Sequence, residues 1–122
     1  MTLNISKIHL KICRTGITRT VLLVGRLAIK VPTLRYGYRL FLHGLLANLY
    51  ERQWWKDTHH DPRLCPVLFA LPFGLLVVMR RTDRDLAEHE LPLKSDFEGL
   101  PADFKSDNFG WLNDKIVLRD YG

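Results

Sequence analysis

The sequence has little that would brace it covalently. Of its 122 residues two are cysteine, Cys13 and Cys65, far apart and in no C-x-x-C pair. That count excludes a disulfide scaffold and makes a reducing cytoplasm the expected compartment. Long apolar runs are missing too. The longest, residues 67–79, has 13 residues and is broken by Pro72 and Gly74, too short to span a bilayer. No long apolar stretch marks the start of the chain, so no secretory signal and no membrane partner are expected. There is no internal repeat and no low-complexity tract.

Acids are absent from the front of the chain. Residues 1–40 hold eight Lys or Arg and no Asp or Glu, whereas residues 41–122 hold ten Lys or Arg and all thirteen acids. The net charge is +5, so its distribution says more than its total. A basic front half suits a phosphate-bearing partner, nucleotide or nucleic acid. A solvated basic face is the plainer reading, and charge alone does not separate the two. With 47% apolar and 25% charged residues, the chain reads as one globular domain over residues 1–122.

Loose alternation over residues 4–14 predicts a strand, and Gly16 a turn over residues 14–19. Residues 20–31 are β-rich around Gly25-Arg26, the pattern of two short strands and a tight hairpin. Residues 34–56 predict a helix, with Leu42, Leu45, Leu46 and Leu49 as its buried face and Gly44 a mild weakness. Residues 57–63 read as a loop. Residues 65–80 read as two strands covered on both faces and broken around Pro72–Gly74. Beyond residue 82 the pattern is lost, with one helical turn expected near residues 83–89. A hairpin follows, turning at Asn113-Asp114. The fold class expected is α+β: an antiparallel sheet of about five strands with one main helix, plus a short C-terminal β-hairpin.

Four features carry chemistry. Lys30 ends the strand-like run Leu27-Ala28-Ile29-Lys30; a cation on a rigid strand can meet phosphates, although a single such lysine is ordinarily solvated. Glu51, on the predicted helix, is the sole acid in residues 1–56 and so the sole candidate partner for it there. Asp103 precedes Asn108 by five positions, with Lys105 between them. Last, an apolar strand, residues 116–118, delivers Asp120-Tyr121-Gly122.

In this order and spacing, Lys30, Glu51, Asp103, Asn108 and Asp120 resemble the protein-kinase-like superfamily, and small kinase-like proteins of phages and prophages in particular. The resemblance covers most of residues 15–122. It implies a small-lobe-like part over residues 1–80 and catalytic and metal-binding loops over residues 81–122. Lys30 would hold the phosphates of ATP, with Glu51 steadying it. Asp103 would be the base and Lys105 its companion toward the transferred phosphate. Asn108 and Asp120 would hold Mg.

The pattern is also broken. No G-x-G-x-x-G precedes Lys30; residues 14–20 contain a single glycine. Pro101-Ala102 stand where His-Arg normally prop the catalytic Asp. About twenty residues separate Met79-Arg80, at the hinge position, from Asp103, where a full kinase places two helices. The segment shows no activation loop, no A-P-E and no docking helices. The expectation is therefore a pseudokinase-type module, with ATP and Mg as its ligands, rather than a working phosphotransferase.

An interaction or inhibitor protein of phage type, such as an anti-defence or anti-CRISPR protein using the fold as a scaffold, is the alternative. Nucleic-acid binding through the basic front half ranks below both. A protein partner is expected, and a homodimer would cover surface left bare by a missing helical lobe. His59-His60-Asp61, with His43, reads as a solvated loop rather than a metal site. Trp54-Trp55 read as core or interface.

Overall fold

The computed structural model describes residues 18–122 in full and, of residues 1–17, only the backbone of 2–5 and 8–13. The turn expected around Gly16 lies outside the described residues, apart from its last positions.

Six strands form one antiparallel sheet: β1 (Thr2–Ile5), β2 (Ile8–Cys13), β3 (Arg19–Val24), β4 (Leu27–Pro32), β5 (Val67–Ala70) and β6 (Val77–Arg80). Their order is β1-β2-β3-β4-β6-β5. The run over residues 4–14 is thus two paired strands rather than one. The β3–β4 hairpin turns at Gly25-Arg26 as the sequence indicated, pairing Val24 with Leu27 and Val21 with Lys30. On its other side Lys30 faces Val77 of β6.

Between β4 and β5 runs α1 (Tyr38–Asp57), the single long helix among the described residues. It lies on the sheet against β4 and beside the Pro72–Gly74 turn. Its orientation overturns the expectation from periodicity. The buried positions are Gly44, Asn48 and Glu51, a largely polar face. Leu42 and Leu46 point outward and are about half exposed (50% and 46%), while Leu45 and Leu49 are intermediate. The reason is steric as well as electrostatic. A Cβ on Gly44 would collide with the Thr18 carbonyl oxygen and stand 3.0 Å from Pro32 Cα, so the helix can approach the sheet this closely only through that glycine.

A second expectation is also corrected. β5 is an edge strand whose Leu68 and Phe69 are exposed, so it is not covered on both faces. β6 alternates, with Val77 and Met79 buried.

The hairpin near the end of the chain turns at Asn113-Asp114, both with positive φ (51° and 66°), the backbone that two-residue hairpin loops favour. It joins β8 (Phe109–Leu112) to β9 (Lys115–Leu118). Where one helical turn is expected near residues 83–89, Arg84–Asp85 first form a short strand, β7, that pairs with β8 and completes a three-stranded sheet, and a single 3-10 turn follows at Glu88–Glu90. The Arg84 guanidinium lies 4.4 Å from the Trp111 ring centroid on the neighbouring strand.

The apolar core sits around this second sheet rather than under α1. It joins Val77 and Met79 of β6 to Leu64, Cys65, Phe97, Phe109 and Leu118. Phe97 meets Phe109 edge-on at 5.1 Å, so the stretch without periodicity still supplies a core aromatic. Trp54 and Trp55 pack against this core from the end of α1. The α+β class holds: one main helix and two antiparallel sheets. Among the described residues, no helix is long and apolar enough to cross a membrane.

Candidate functional site: a buried charge cluster

Four elements converge on one point. β3 contributes Arg19, β4 contributes Lys30, α1 contributes Asn48 and Glu51, and the segment after β9 contributes Arg119, Asp120 and Tyr121. That last segment is steered into place by backbone pairing. Leu118 N donates to Arg63 O and Cys65 N donates to Leu118 O, both at 2.8 Å, fastening β9 to the loop that leaves α1. The Tyr121 hydroxyl then donates to Cys65 O at 2.8 Å.

Lys30 and Glu51 meet as the resemblance implied. Lys30 Nζ lies 3.0 and 2.9 Å from the two Glu51 carboxylate oxygens. Its third hydrogen bond goes to the Arg119 carbonyl oxygen at 2.6 Å. An ammonium has three donors, so this lysine has none left over. Glu51 also accepts from Tyr121 N at 2.9 Å.

Arg19, at the start of β3, was not among the residues the sequence singled out, and it organises the site. Its guanidinium bonds the Glu51 carboxylate through Nη1, the Asn48 amide oxygen at 3.2 Å, and Asp120 Oδ1 through Nη2 at 2.6 Å. Arg19, Lys30 and Glu51 are buried, whereas the Asp120 side chain keeps 40% of its surface in solvent. Asn48 closes the arrangement by donating to Lys30 O and Gly74 O at 3.1 and 2.9 Å. Two cations and two anions thus balance within one network. The signal for Arg19 in the sequence is only indirect: Glu51 and Asp120 together need two cations, and Lys30 supplies one.

Burial and pairing pull the titrations in opposite directions. Burial alone would raise the Glu51 pKa, but Lys30 and Arg19 outweigh it and hold the carboxyl below its ordinary value. Burial lowers the Lys30 pKa, and Glu51 offsets this only in part. For Arg19 burial is again the largest single effect and acts downward, yet Glu51 and Asp120 together raise the pKa. Burial lifts the Cys65 thiol to about 12, and its Sγ donates to Arg80 O.

The remaining sequence candidates stand apart from this centre or join it through backbone. Asn108 accepts from Arg119 N and Asp120 N through its carbonyl oxygen (2.8 and 3.2 Å), while its side-chain amide donates to Asp103 O at 2.9 Å. Asp103 and Lys105 are exposed and face one another, Nζ to Oδ2 at 3.6 Å. Such a pair contributes little to stability. A polar cleft of about 450 Å³, lined by Arg26, Arg80, Arg81 and Asp83 among others, opens at the β3–β4 turn, at the other end of β4 from Lys30.

The resemblance implies Mg and the phosphates of ATP here, and the residues can be tested for both. Mg²⁺ takes near-octahedral oxygen ligands, commonly one or two carboxylates completed by phosphate and water. Of its two implied side chains, Asp120 already receives a guanidinium and Asn108 is anchored to Asp103. No cluster of three His, Cys, Asp or Glu side chains suited to a metal exists among the described residues, His59-His60-Asp61 included. For phosphate, Lys30 offers no free donor. With Arg19 in this position the site fits neither group.

Comparison with protein-family models and with curated proteins found no match to this chain.

Proposed function

We propose that the chain is a kinase-like module of the pseudokinase kind, whose charged centre joins the sheet, the helix and the terminal loop instead of transferring phosphate. One observation carries this reading. Lys30, Glu51 and Asp120 meet at one point, as a nucleotide site of that family would require, yet each is already engaged by another group of the same chain. Positioning and electrostatics supply most of the rate in phosphoryl transfer. A lysine with no free N–H and an exposed Asp103 paired with Lys105 supply neither. The free, buried Cys65 thiol supports a place in the reducing cytoplasm.

The test is a radiolabelled phosphate-transfer assay beside calorimetric titration with Mg-ATP. No turnover is expected, and Lys30→Ala should lower thermal stability without any nucleotide present. Turnover that disappears in Asp120→Ala would overturn the reading.

A specific surface favours a second reading, an interaction module of the inhibitor type. Tyr38, Leu42, Leu46 and Tyr50 recur every four residues along the outer face of α1, and all are exposed. Phe69 and Phe73 (55% and 76% exposed) lie on β5 and the adjoining turn, which pack beside the helix. Arg39, Arg52 and Lys56 are the exposed cations among them, with Asp57 the one exposed acid of the helix. An apolar face with a basic rim suits a protein partner whose own apolar face is rimmed by acids. A second copy docked symmetrically would set like charges against each other. Partner binding lost in Leu42→Asp but kept in Asp120→Asn would favour this reading. Nucleic-acid binding has less support, because two of the eight front-half cations, Arg19 and Lys30, are buried against carboxylates.

A further inference from the structure

We propose that Arg19 is a built-in cation that takes the place of a divalent metal at Asp120, so that the charged centre is complete without metal and becomes a metal site only when the guanidinium is removed. The inference rests on the kinase-like reading of Lys30, Glu51 and Asp120, and adds to it what neutralises the Asp120 carboxylate.

Geometry is the first support. A metal in such a site would link the loop carrying Asp120 to the rest of the pocket. Arg19 makes that link by itself, with one guanidinium nitrogen on Glu51 and Asn48 of the helix and the other on Asp120 of the loop. Its planar fork suits two carboxylates at once, which a lysine ammonium does less well. The second support is burial. Only 8% of the Arg19 side chain is exposed, so its charge has to be met inside the protein, and Glu51 and Asp120 meet it. The third is charge balance. Lys30 and Arg19 against Glu51 and Asp120 sum to zero, and a divalent ion added at Asp120 would set two uncompensated positive charges beside the buried cations Arg19 and Lys30.

The fourth support is where Arg19 originates. β3 lies next to β4, and Arg19 stands at the Pro32 end of the pair, the same end as Lys30. The two cations therefore enter the pocket from neighbouring strands. The Asp120 carboxylate, partly in solvent, is the one member of the cluster that an external cation could reach, and Oδ1 is the atom that Arg19 holds.

The experiment is Mn²⁺ titration followed by electron paramagnetic resonance, on wild type, Asp120→Asn, Arg19→Gln and the double variant Arg19→Gln/Asp120→Asn, each first checked for native circular dichroism. Wild type is expected to bind no more Mn²⁺ than Asp120→Asn does. Arg19→Gln should bind Mn²⁺ at least about tenfold more tightly than wild type, as an unneutralised carboxylate in a partly buried site requires. That gain should vanish in the double variant. Should Arg19→Gln fail to fold, Arg19→Lys keeps a positive charge but cannot span both carboxylates, and a smaller gain that depends on Asp120 is expected of it.

Wild-type Mn²⁺ binding that Asp120→Asn abolishes would overturn the inference, as would a folded Arg19→Gln protein with no gain. Phosphate transfer by wild type would count against the pseudokinase reading. Absence of transfer together with Asp120-dependent Mn²⁺ binding in wild type would sink this inference alone.

Discussion

Arg19 Nη2 lies 2.6 Å from Asp120 Oδ1, across 101 positions of chain. Together with the contact from Arg19 Nη1 to Glu51, it ties the sheet, the helix and the last loop into one charged network. Removing any member takes a charged partner away from at least one buried group.

Arg19→Ala should therefore lower unfolding stability by about 3–5 kcal/mol, the usual cost of stranding one member of a buried ion pair. Urea denaturation measures it. Because Glu51 is shared between Arg19 and Lys30, the double variant Arg19→Ala/Glu51→Gln should lose less than the sum of the single losses, with a coupling of about 0.5–3 kcal/mol. Additive losses would show that the pair does not act as a unit.

The cluster also makes stability depend on acid. The Glu51 pKa is depressed in the folded protein, so between its folded and unfolded values the unfolded chain binds more protons. The contribution of Glu51 is fully present above the unfolded value, about 4.3, and is lost as pH falls through the folded one. Stability of wild type should drop through that acid range. In Glu51→Gln the drop should be shallower, since the group no longer titrates. Denaturation midpoints over the range give the comparison.

The two faces of α1 should respond opposite to their hydrophobicity. Leu46→Ser, at a half-exposed position, should change stability by less than about 1 kcal/mol. Asn48→Leu should be severe, because it removes the partner of Lys30 O, Gly74 O and Arg19 at a fully buried site, at about 1–3 kcal/mol for each stranded group. Thermal melts of the two variants rank them directly.

Gly44→Ala should destabilise the protein despite a helix-propensity gain of about 1 kcal/mol. The new methyl would press on the Thr18 carbonyl oxygen and on Pro32, both backbone-anchored, and overpacking of this kind costs about 1–3 kcal/mol. A melting temperature at or above that of wild type would show that the helix can move away from the sheet.

Cys65 should resist alkylation at pH 8. Its thiol is buried, raised to about 12 and bonded to Arg80 O, so little thiolate forms and none of it is accessible. Modification of Cys65, resolved by mass spectrometry of its peptide, should proceed only at the rate of unfolding and accelerate with denaturant.

Much of the framework was legible locally. The β3–β4 hairpin follows from β-branched and aliphatic residues flanking Gly25-Arg26, and the last hairpin from Asn113-Asp114, because turn chemistry acts within four residues. Lys30, Glu51 and Asp120 were legible as types at a spacing, and the structure places them in one network. Asp103 and Lys105 shared that spacing but remain at the surface, since an interval along the chain does not say which way a side chain points.

The sequence by itself determined the α+β class, the two hairpin turns at Gly25-Arg26 and Asn113-Asp114, and the supply of charges, with no acid before Glu51. Tertiary structure decided that α1 turns its polar face inward, that the stretch after residue 82 contributes a strand and a core phenylalanine, and that Arg19 belongs with Asp120. The physical reason is the reach of the interactions involved. Periodicity reports which side of a helix is apolar, but it cannot register a buried carboxylate whose compensating guanidinium arrives from another strand and whose second anion arrives from the far end of the chain.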